Sequence, residues 1–560
     1  MQYEAPSSKP CSSKLQSWNA ITQSTQVYLL SIAKVGNAML VESAPSSVVV
    51  ESPPRSSPRE PGDAATGFLV AAITCVAAAL RLHDISAKPI WFDEALSFGV
   101  ARLSWHQLFL SLWNREANMG IYFLLLHIWL MLGSTLGFLR GLSVLFSVAT
   151  VPIVYALGAR LFGRNAGLIA AWLLALNAFH IRYAQEIRGY AMVAFFAALA
   201  TWLLVRNLQE PSSAHWAAYT AACSLTIYSQ FLGAFVILAH FLSLKYFRLK
   251  DIPVRNLFRS YFWLAVSLLP IALFSMRTRF GTVNWIPQIR PSVFLNFWEV
   301  FGGNYGLLLL SLEAVAIGVF IFGGIRSRNQ DGRSVEAWVH AMVLSWLFVP
   351  VLLILAISIV HPLFVFRYLI PSLPAFMLII AAGIVKVKPF ALSAAFFVGI
   401  SVLSVLGTVS YYHVDIDITR GDWQDLFAYV YDHAQPGDGI VFYTPATQTV
   451  FDFYGAQRKP VPAWPQVLNP QDGDTEKFDP LPGMPPLAEL KNSRPAGDRV
   501  WIVLYLPVGG YGTVDNKGVI IRDWYAKGRR RIYVNSFTQI GLILYARDPA
   551  DSSQDRVASK

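Results

Sequence analysis

The chain is 560 residues long, 54% hydrophobic and only 14% charged, with a formal net charge of +11. A mean hydropathy of +0.44 and recurring apolar runs of roughly 16–22 residues, the length that crosses a bilayer, exclude a single soluble domain. The basic residues sit in short loops between the apolar runs, so the charge records membrane topology and gives no reason to invoke nucleic acid.

Residues 1–65 are rich in Ser and Pro (Ser43-Ala-Pro-Ser-Ser47, Ser52-Pro-Pro-Arg-Ser-Ser-Pro58) and read as a disordered cytoplasmic tail. The apolar patch Val27 to Leu40 is interrupted by Lys34 and Asn37 and is too short to span, and Met39 is an alternative start. Residues 66–410 form the membrane domain, with about eleven spans expected near 66–82, 141–158, 165–181, 190–206, 214–229, 231–246, 261–276, 306–325, 338–360, 369–385 and 390–410. Arg160, Arg164, Arg206, the basic run from Lys245 to Arg259, Arg326, Arg328, Arg333, Lys386 and Lys388 fall on one side, which the positive-inside bias makes cytoplasmic. Ile121 to Gly133 is read as an interfacial or partly inserted helix, because a full span there would invert every later loop. The amphipathic stretch Leu103–Trp113 precedes it. Residues 411–560 return to soluble character. A helix over Asp422–His433, a turn at Gln435–Asp438, strands at 439–443 and 500–505, a helix near 519–527 and closing strands at 531–534 and 541–545 predict a small α/β domain outside the membrane.

The chemically suggestive residues all fall on the outer side. The first outer loop carries the adjacent acids Asp93 and Glu94, the second span opens with Arg140, and the next outer loop holds Arg182, Glu186, Arg188 and Tyr190. Arg277, Arg279, Asn284, Trp285 and Arg290 follow, and later Arg367. Arginines on that side run against the positive-inside bias and call for a partner; guanidinium groups bind phosphate oxygens in bidentate fashion. Acids with several Arg at an outer membrane face therefore point to a membrane-borne phosphate ester as donor, with a carboxylate to take a proton from the acceptor. Each residue has a plainer use: Asp93 and Glu94 can open a helix, Arg182 and Arg188 can pair with Glu186, Arg140 can snorkel, and Arg367 can anchor at the interface. Trp91, Trp105, Trp113 and Trp129 read as an interfacial belt, and His127 as a packing histidine. The three cysteines, Cys11, Cys75 and Cys223, are scattered and build neither a disulfide framework nor a Cys/His metal pattern.

Trp91-Phe-Asp-Glu-Ala-Leu-Ser97, Tyr122-Phe-Leu-Leu-Leu-His-Ile-Trp129, Leu139-Arg-Gly-Leu-Ser143, the stretch Val151–Gly163 and Tyr183-Ala-Gln-Glu-Ile-Arg-Gly-Tyr190 resemble the bacterial membrane glycosyltransferases of the protein O-mannosyltransferase-like group. These are relatives of the aminoarabinose transferases. Phe366-Arg-Tyr-Leu-Ile-Pro-Ser-Leu-Pro374 is similar to a later segment of that family, and Arg420–Asp425 with Gln435–Asp438 to an outer domain some members carry. The resemblance implies a C-type glycosyltransferase fold, a polytopic helical membrane domain followed by the small α/β domain, in the inner membrane of a bacterium. It further implies Asp93 as general base with Glu94 beside it, Arg140, Arg188 and Arg367 on the donor phosphate, and Glu186 and Tyr190 lining the cleft. Where many members carry a Pro pair, this chain reads Asn118-Met-Gly-Ile-Tyr122. In some relatives that region contacts a metal or the donor phosphate, so the departure puts metal involvement in doubt and leaves a divalent metal without support.

The expected reaction is transfer of a hexose or pentose from a polyprenyl phosphate, with inversion, to a lipid, protein or polysaccharide acceptor. No cofactor is expected beyond that lipid-linked donor, and no nucleotide-binding glycine loop is evident. A flippase for a lipid-linked glycan, or a scaffold subunit, is the alternative; either would tolerate Asn at position 93.

Overall fold

The computed structural model describes residues 61–114, 117–209, 213–247, 253–278, 286, 291–330, 335–413, 422–443, 447–457, 465–468, 498–505, 522–523, 525–537 and 540–547. The chain divides into two compact units, Met1–Ala64 and Ala65–Lys560. All of the first but its last four residues lies outside the described range, as do Met39, Arg279, Asn284, Trp285 and Arg290. The expected helix near 519–527 lies partly outside it as well.

Helix α1 (Pro61–Leu82) begins in the last residues of the first unit, and the second continues with α2 (Phe92–Ala101), α3 (Trp105–Asn114) and α4 (Gly120–Leu130). Two long helices follow the short ones: α5 (Leu136–Phe162), then α6 (Arg164–Leu176) broken from α7 (Ala178–Ala184), then α8 (Tyr190–Gln209). The bundle continues with α9 (Ser213–Ser229), α10 (Ala234–Ser243), α11 (Val254–Ser267), α12 (Leu269–Thr278), α13 (Pro291–Gly302), α14 (Gly306–Gln330) and α15 (Val335–Ser358). A 3-10 turn at Phe366–Ser372 leads into α16 (Leu373–Lys386), and α17 (Phe390–His413) closes the bundle.

Among the described residues seven helices are long and apolar enough to cross a membrane, nine if each bent pair is one span. Each of the expected spans falls on one of these, or on the shorter α9 and the 231–246 segment. At 11 residues, α4 covers only about 16 Å and does not cross a bilayer. Helix α3 turns Trp105, Phe109, Leu110 and Trp113 outward while Leu108 is buried, the face of a helix lying in the interface.

Small residues let the bundle close. A Cβ on Gly158 would come within 2.8 Å of the Gly167 backbone and one on Gly167 within 2.6 Å of the Tyr155 carbonyl, so α5 and α6 meet backbone to backbone. The chain reverses between them at Gly163, whose φ of +93° is open to glycine.

Among the described residues five strands complete the unit: β1 (Gly439–Tyr443), β2 (Gln466–Val467), β3 (Arg499–Tyr505), β4 (Arg529–Phe537) and β5 (Ile540–Arg547), in the order β2-β1-β3-β5-β4. β1 runs parallel to β2 and β3, whereas β5 is antiparallel to β3 and β4. Helix α18 (Trp423–His433) is capped by Asp422 accepting from the Asp425 amide, and α19 (Gln448–Gln457) follows β1. Phe453 of α19 packs edge-on against Phe98 of α2, ring centroids 5.0 Å apart. The neighbouring Tyr454 hydroxyl accepts the Ile90 amide at 3.1 Å. Burial holds the Tyr454 phenol well above its usual range.

Candidate active site

Asp93 and Glu94 stand in the first turn of α2, where the sequence pattern places acids. Consecutive helical residues point about 100° apart, so the two carboxylates meet different surroundings. Glu94 is fully buried. It receives Arg140 in a bidentate fork, Nε to Oε1 and Nη2 to Oε2, both at 2.8 Å, and also the Ile187 amide at 2.9 Å. Arg140 spends its remaining donors on the carbonyls of Ile85, Lys88 and Pro89 at 2.7, 2.9 and 3.3 Å. A guanidinium has five N–H groups, and here each has a protein acceptor, leaving none for a phosphate. Arg140 does not snorkel; it ties α5, the 85–89 turn and α2 together under the site.

Asp93 is partly exposed, and its Oδ2 lies 3.5 Å from Arg367 Nη2. Arg367 comes from the 3-10 turn before α16, with its guanidinium 5.6 Å from the Trp91 ring and 5.8 Å from the Tyr368 ring. Trp91 therefore belongs to this cluster as well as to the aromatic fringe. Arg188 lies on the 185–189 segment between α7 and α8, donating from Nη1 to Ser97 Oγ at 3.2 Å and to the Asp93 carbonyl at 3.5 Å. Glu186, fully buried, is 3.8 Å from Arg182. Tyr190 is buried against Tyr183 at 5.2 Å and within electrostatic reach of Arg188, Arg367, Asp93 and Glu186. All seven residues expected at the site thus gather around the start of α2. Four guanidinium groups, those of Arg140, Arg182, Arg188 and Arg367, meet three carboxylates, those of Asp93, Glu94 and Glu186, leaving a formal surplus of one positive charge.

The loop that carries Arg188 is held from several sides. Tyr122 bonds Ser143 at 2.9 Å, and Ser143 in turn donates to the Arg188 carbonyl at 3.1 Å. A Cβ on Gly189 would crowd the Ser229 carbonyl at 3.1 Å and Tyr122 at 3.3 Å. Met119, in the departing Asn118–Tyr122 segment, is buried with φ +65° and opens α4 beside that glycine.

A second buried network, which the motifs did not reveal, lies one layer deeper. Arg81 donates to Ser147 Oγ, to the Ala77, Leu174 and Ala175 carbonyls and to His180 Nδ1, at 2.6–3.1 Å. Gln185, at the foot of the Arg188 loop, donates to the Arg81 and His83 carbonyls and accepts from Tyr411. The only sequence signal is an arginine closing an apolar run. Among the described residues no group of three or more His, Cys, Asp or Glu side chains is placed to hold a metal ion.

Residues 117–277 match the family model described as dolichyl-phosphate-mannose-protein mannosyltransferase. A comparison with curated proteins gave no match. Among solved structures, ArnT from Cupriavidus metallidurans in the apo state is similar, with 12% identity and a TM-score of 0.57 over 86% of this chain and 98% of that chain. The same protein bound to undecaprenyl phosphate gives 13% identity and a TM-score of 0.55, again over 86% and 98%. The resemblance read from the motifs stands: this is a multi-span membrane chain with the C-type glycosyltransferase fold and a small C-terminal sheet domain, similar to the protein mannosyltransferases over residues 117–277.

Proposed function

We propose that the chain is a glycosyltransferase that moves a sugar from a polyprenyl-phosphate donor to an acceptor hydroxyl at the outer face of a bacterial inner membrane. In this topology the N-terminus is cytoplasmic and the domain after residue 410 extracytoplasmic. One observation carries the reading. Of two adjacent carboxylates, Glu94 is locked in a buried ion pair, while Asp93 is partly exposed among arginines. Asp93 is the general base: it takes the acceptor proton as the acceptor oxygen bonds to the anomeric carbon. The bond from that carbon to the phosphate oxygen breaks with its electron pair, leaving the lipid phosphate. Attack from the face opposite the leaving phosphate inverts the anomeric centre.

Arg188 and Arg367 neutralise the charge that develops on the phosphate, which only a preorganised donor set can do without reorganising water. We assign Arg140 and Glu94 to positioning instead, because all five donors of Arg140 and both oxygens of the buried Glu94 are engaged at the α2–α5 junction and by the Ile187 amide. Tyr190 and Glu186 line the cleft. The similarity to ArnT bound to undecaprenyl phosphate supports a lipid phosphate as ligand.

The test is transfer from a panel of polyprenyl-phosphate sugars by wild type and Asp93→Asn. Loss of about a thousandfold in turnover, with donor binding retained, is expected for a missing general base. Turnover indifferent to the substitution would sink the assignment of Asp93 as base, and no transfer from any donor would favour a flippase or scaffold.

A further inference from the structure

Helix α2 also forms a wall of a second site. Its C-terminal end, roughly 13 Å along the axis from Asp93, faces a cavity of about 390 Å³ lined by Phe98, Arg102, His127, Met131, Ser134 and Gln457, among others. The cavity lies where α2, α4 and the start of the α4–α5 connection meet α19 of the sheet domain.

Three polar groups on its wall have capacity to spare. Arg102 is exposed, its guanidinium 5.1 Å from the Phe98 ring. Among the described residues it makes no ion pair; Asp452 acts on it only at longer range. His127 Nδ1 is 2.8 Å from the Ala101 carbonyl, and because a carbonyl only accepts, Nδ1 carries the proton. With Nδ1 donating, Nε2 is the ring's acceptor position; it is buried without a hydrogen-bond partner among the described residues, and the Trp105 ring packs against the imidazole at 4.2 Å between centroids. Gln457 donates Nε2 to the Ser134 carbonyl at 2.9 Å, leaving its side-chain oxygen to accept. One cation and two acceptors suit a ligand that brings an anion and hydroxyl donors together.

The rim tells where such a ligand comes from. Trp105 of α3 packs against His127, ring centroids 4.2 Å apart, and Met131 after α4 lines the cavity; both are exposed, as are Phe109, Leu110 and Trp113 on α3 and Ile128 and Leu132 near the end of α4. A surface of that kind lies in the headgroup and acyl boundary of a bilayer. We infer that the cavity binds the headgroup of an anionic glycerophospholipid of the phosphatidylglycerol type. The phosphate meets Arg102 and the glycerol hydroxyls meet His127 and Gln457. Phe98, Met131 and the exposed rim receive the start of the acyl chains. An occupied cavity bridges α2, the helix that carries Asp93, to α19 of the sheet domain.

The full-length protein, stripped of lipid in detergent, is returned to phosphatidylcholine vesicles that are pure or contain an equal part of phosphatidylglycerol or of phosphatidic acid. Lipid retained on re-extraction is counted by native mass spectrometry. Wild type is expected to retain phosphatidylglycerol about tenfold over phosphatidylcholine, the weight of one charge-assisted contact. Arg102→Gln should abolish that preference and Arg102→Lys should keep part of it. Gln457→Leu should lose the discrimination between phosphatidylglycerol and phosphatidic acid while still favouring both over phosphatidylcholine. Undiminished preference in Arg102→Gln overturns the site. Saturation by free glycerol 1-phosphate as readily as by the lipid overturns the lipid assignment in favour of a soluble phosphate.

Discussion

Asp93 and Glu94 are chemically near-equivalent, and what separates their roles is a partner supplied from far along the chain. The sequence makes the pair conspicuous but cannot distribute the labour, because Arg140 and the Ile187 amide become neighbours of Glu94 only through tertiary packing. Arg140 was legible as an arginine in an unusual place, which suggested a phosphate ligand; its five protein acceptors argue otherwise. Removing one partner of a buried pair leaves an uncompensated charge, at a cost of about 3–5 kcal/mol. Glu94→Gln should therefore lower stability by that order, seen as a large drop in thermal unfolding temperature in detergent. The double variant Glu94→Leu/Arg140→Met should recover most of the stability but not the transfer activity, since no carboxylate then holds the 187–188 backbone. Recovery of full transfer by the apolar pair would remove the positioning role and leave the ion pair as mere packing. At Arg188 the conservative change is informative. Arg188→Lys keeps the charge but loses the planar fork, so donor binding should weaken about tenfold in a titration with polyprenyl phosphate, with the fold intact.

At the scale of elements the membrane helices were legible because a run of apolar residues with the length of a bilayer has few other uses. The breaks within them were not. Asn177 lies inside an apolar run, yet α6 and α7 bend there by 59°. Its Oδ1 caps the His180 amide at 2.8 Å, and its Nδ2 donates to the Phe301 and Gly302 carbonyls at 3.1 and 3.0 Å. The kink exposes polar backbone that the side chain then satisfies, a solution available only once α13 is alongside. Helix α7 leads directly into the Arg182–Arg188 segment, so the break sets where those arginines stand. Asn177→Leu removes the cap and both interhelix bonds and should cost about 2–4 kcal/mol. Because the bend aims the loop, donor affinity should fall with stability. A variant with lowered unfolding temperature but unchanged donor affinity would mean that the loop is held by Gln185 and Ser143 alone.

For the molecule as a whole the question is what the sheet domain does for the reaction. Its strands could be read from short apolar runs between turn residues, whereas α19, ten residues with no strong periodicity, could not. Yet α19 reaches the membrane domain. Phe453 packs on Phe98, Tyr454 accepts the Ile90 amide three residues before Asp93, and Gln457 bonds the Ser134 carbonyl. If the domain only selected the acceptor, deleting residues after about 415 would change acceptor use more than donor cleavage. The packing argues for a broader loss, because the deletion uncovers one side of α2 and frees the backbone that carries Asp93, the proposed general base. A misplacement of about 1 Å can cost on the order of a hundredfold in rate. The truncated chain should therefore lose transfer to every acceptor, water included, and Phe453→Ala should lose part of it with the sheet domain still folded. Measuring donor hydrolysis in the absence of acceptor separates the two roles. If the truncated chain hydrolyses donor at the wild-type rate, α2 does not depend on α19 and the domain serves acceptor choice. A parallel fall in hydrolysis and transfer makes the sheet domain part of the machinery that holds Asp93 in place.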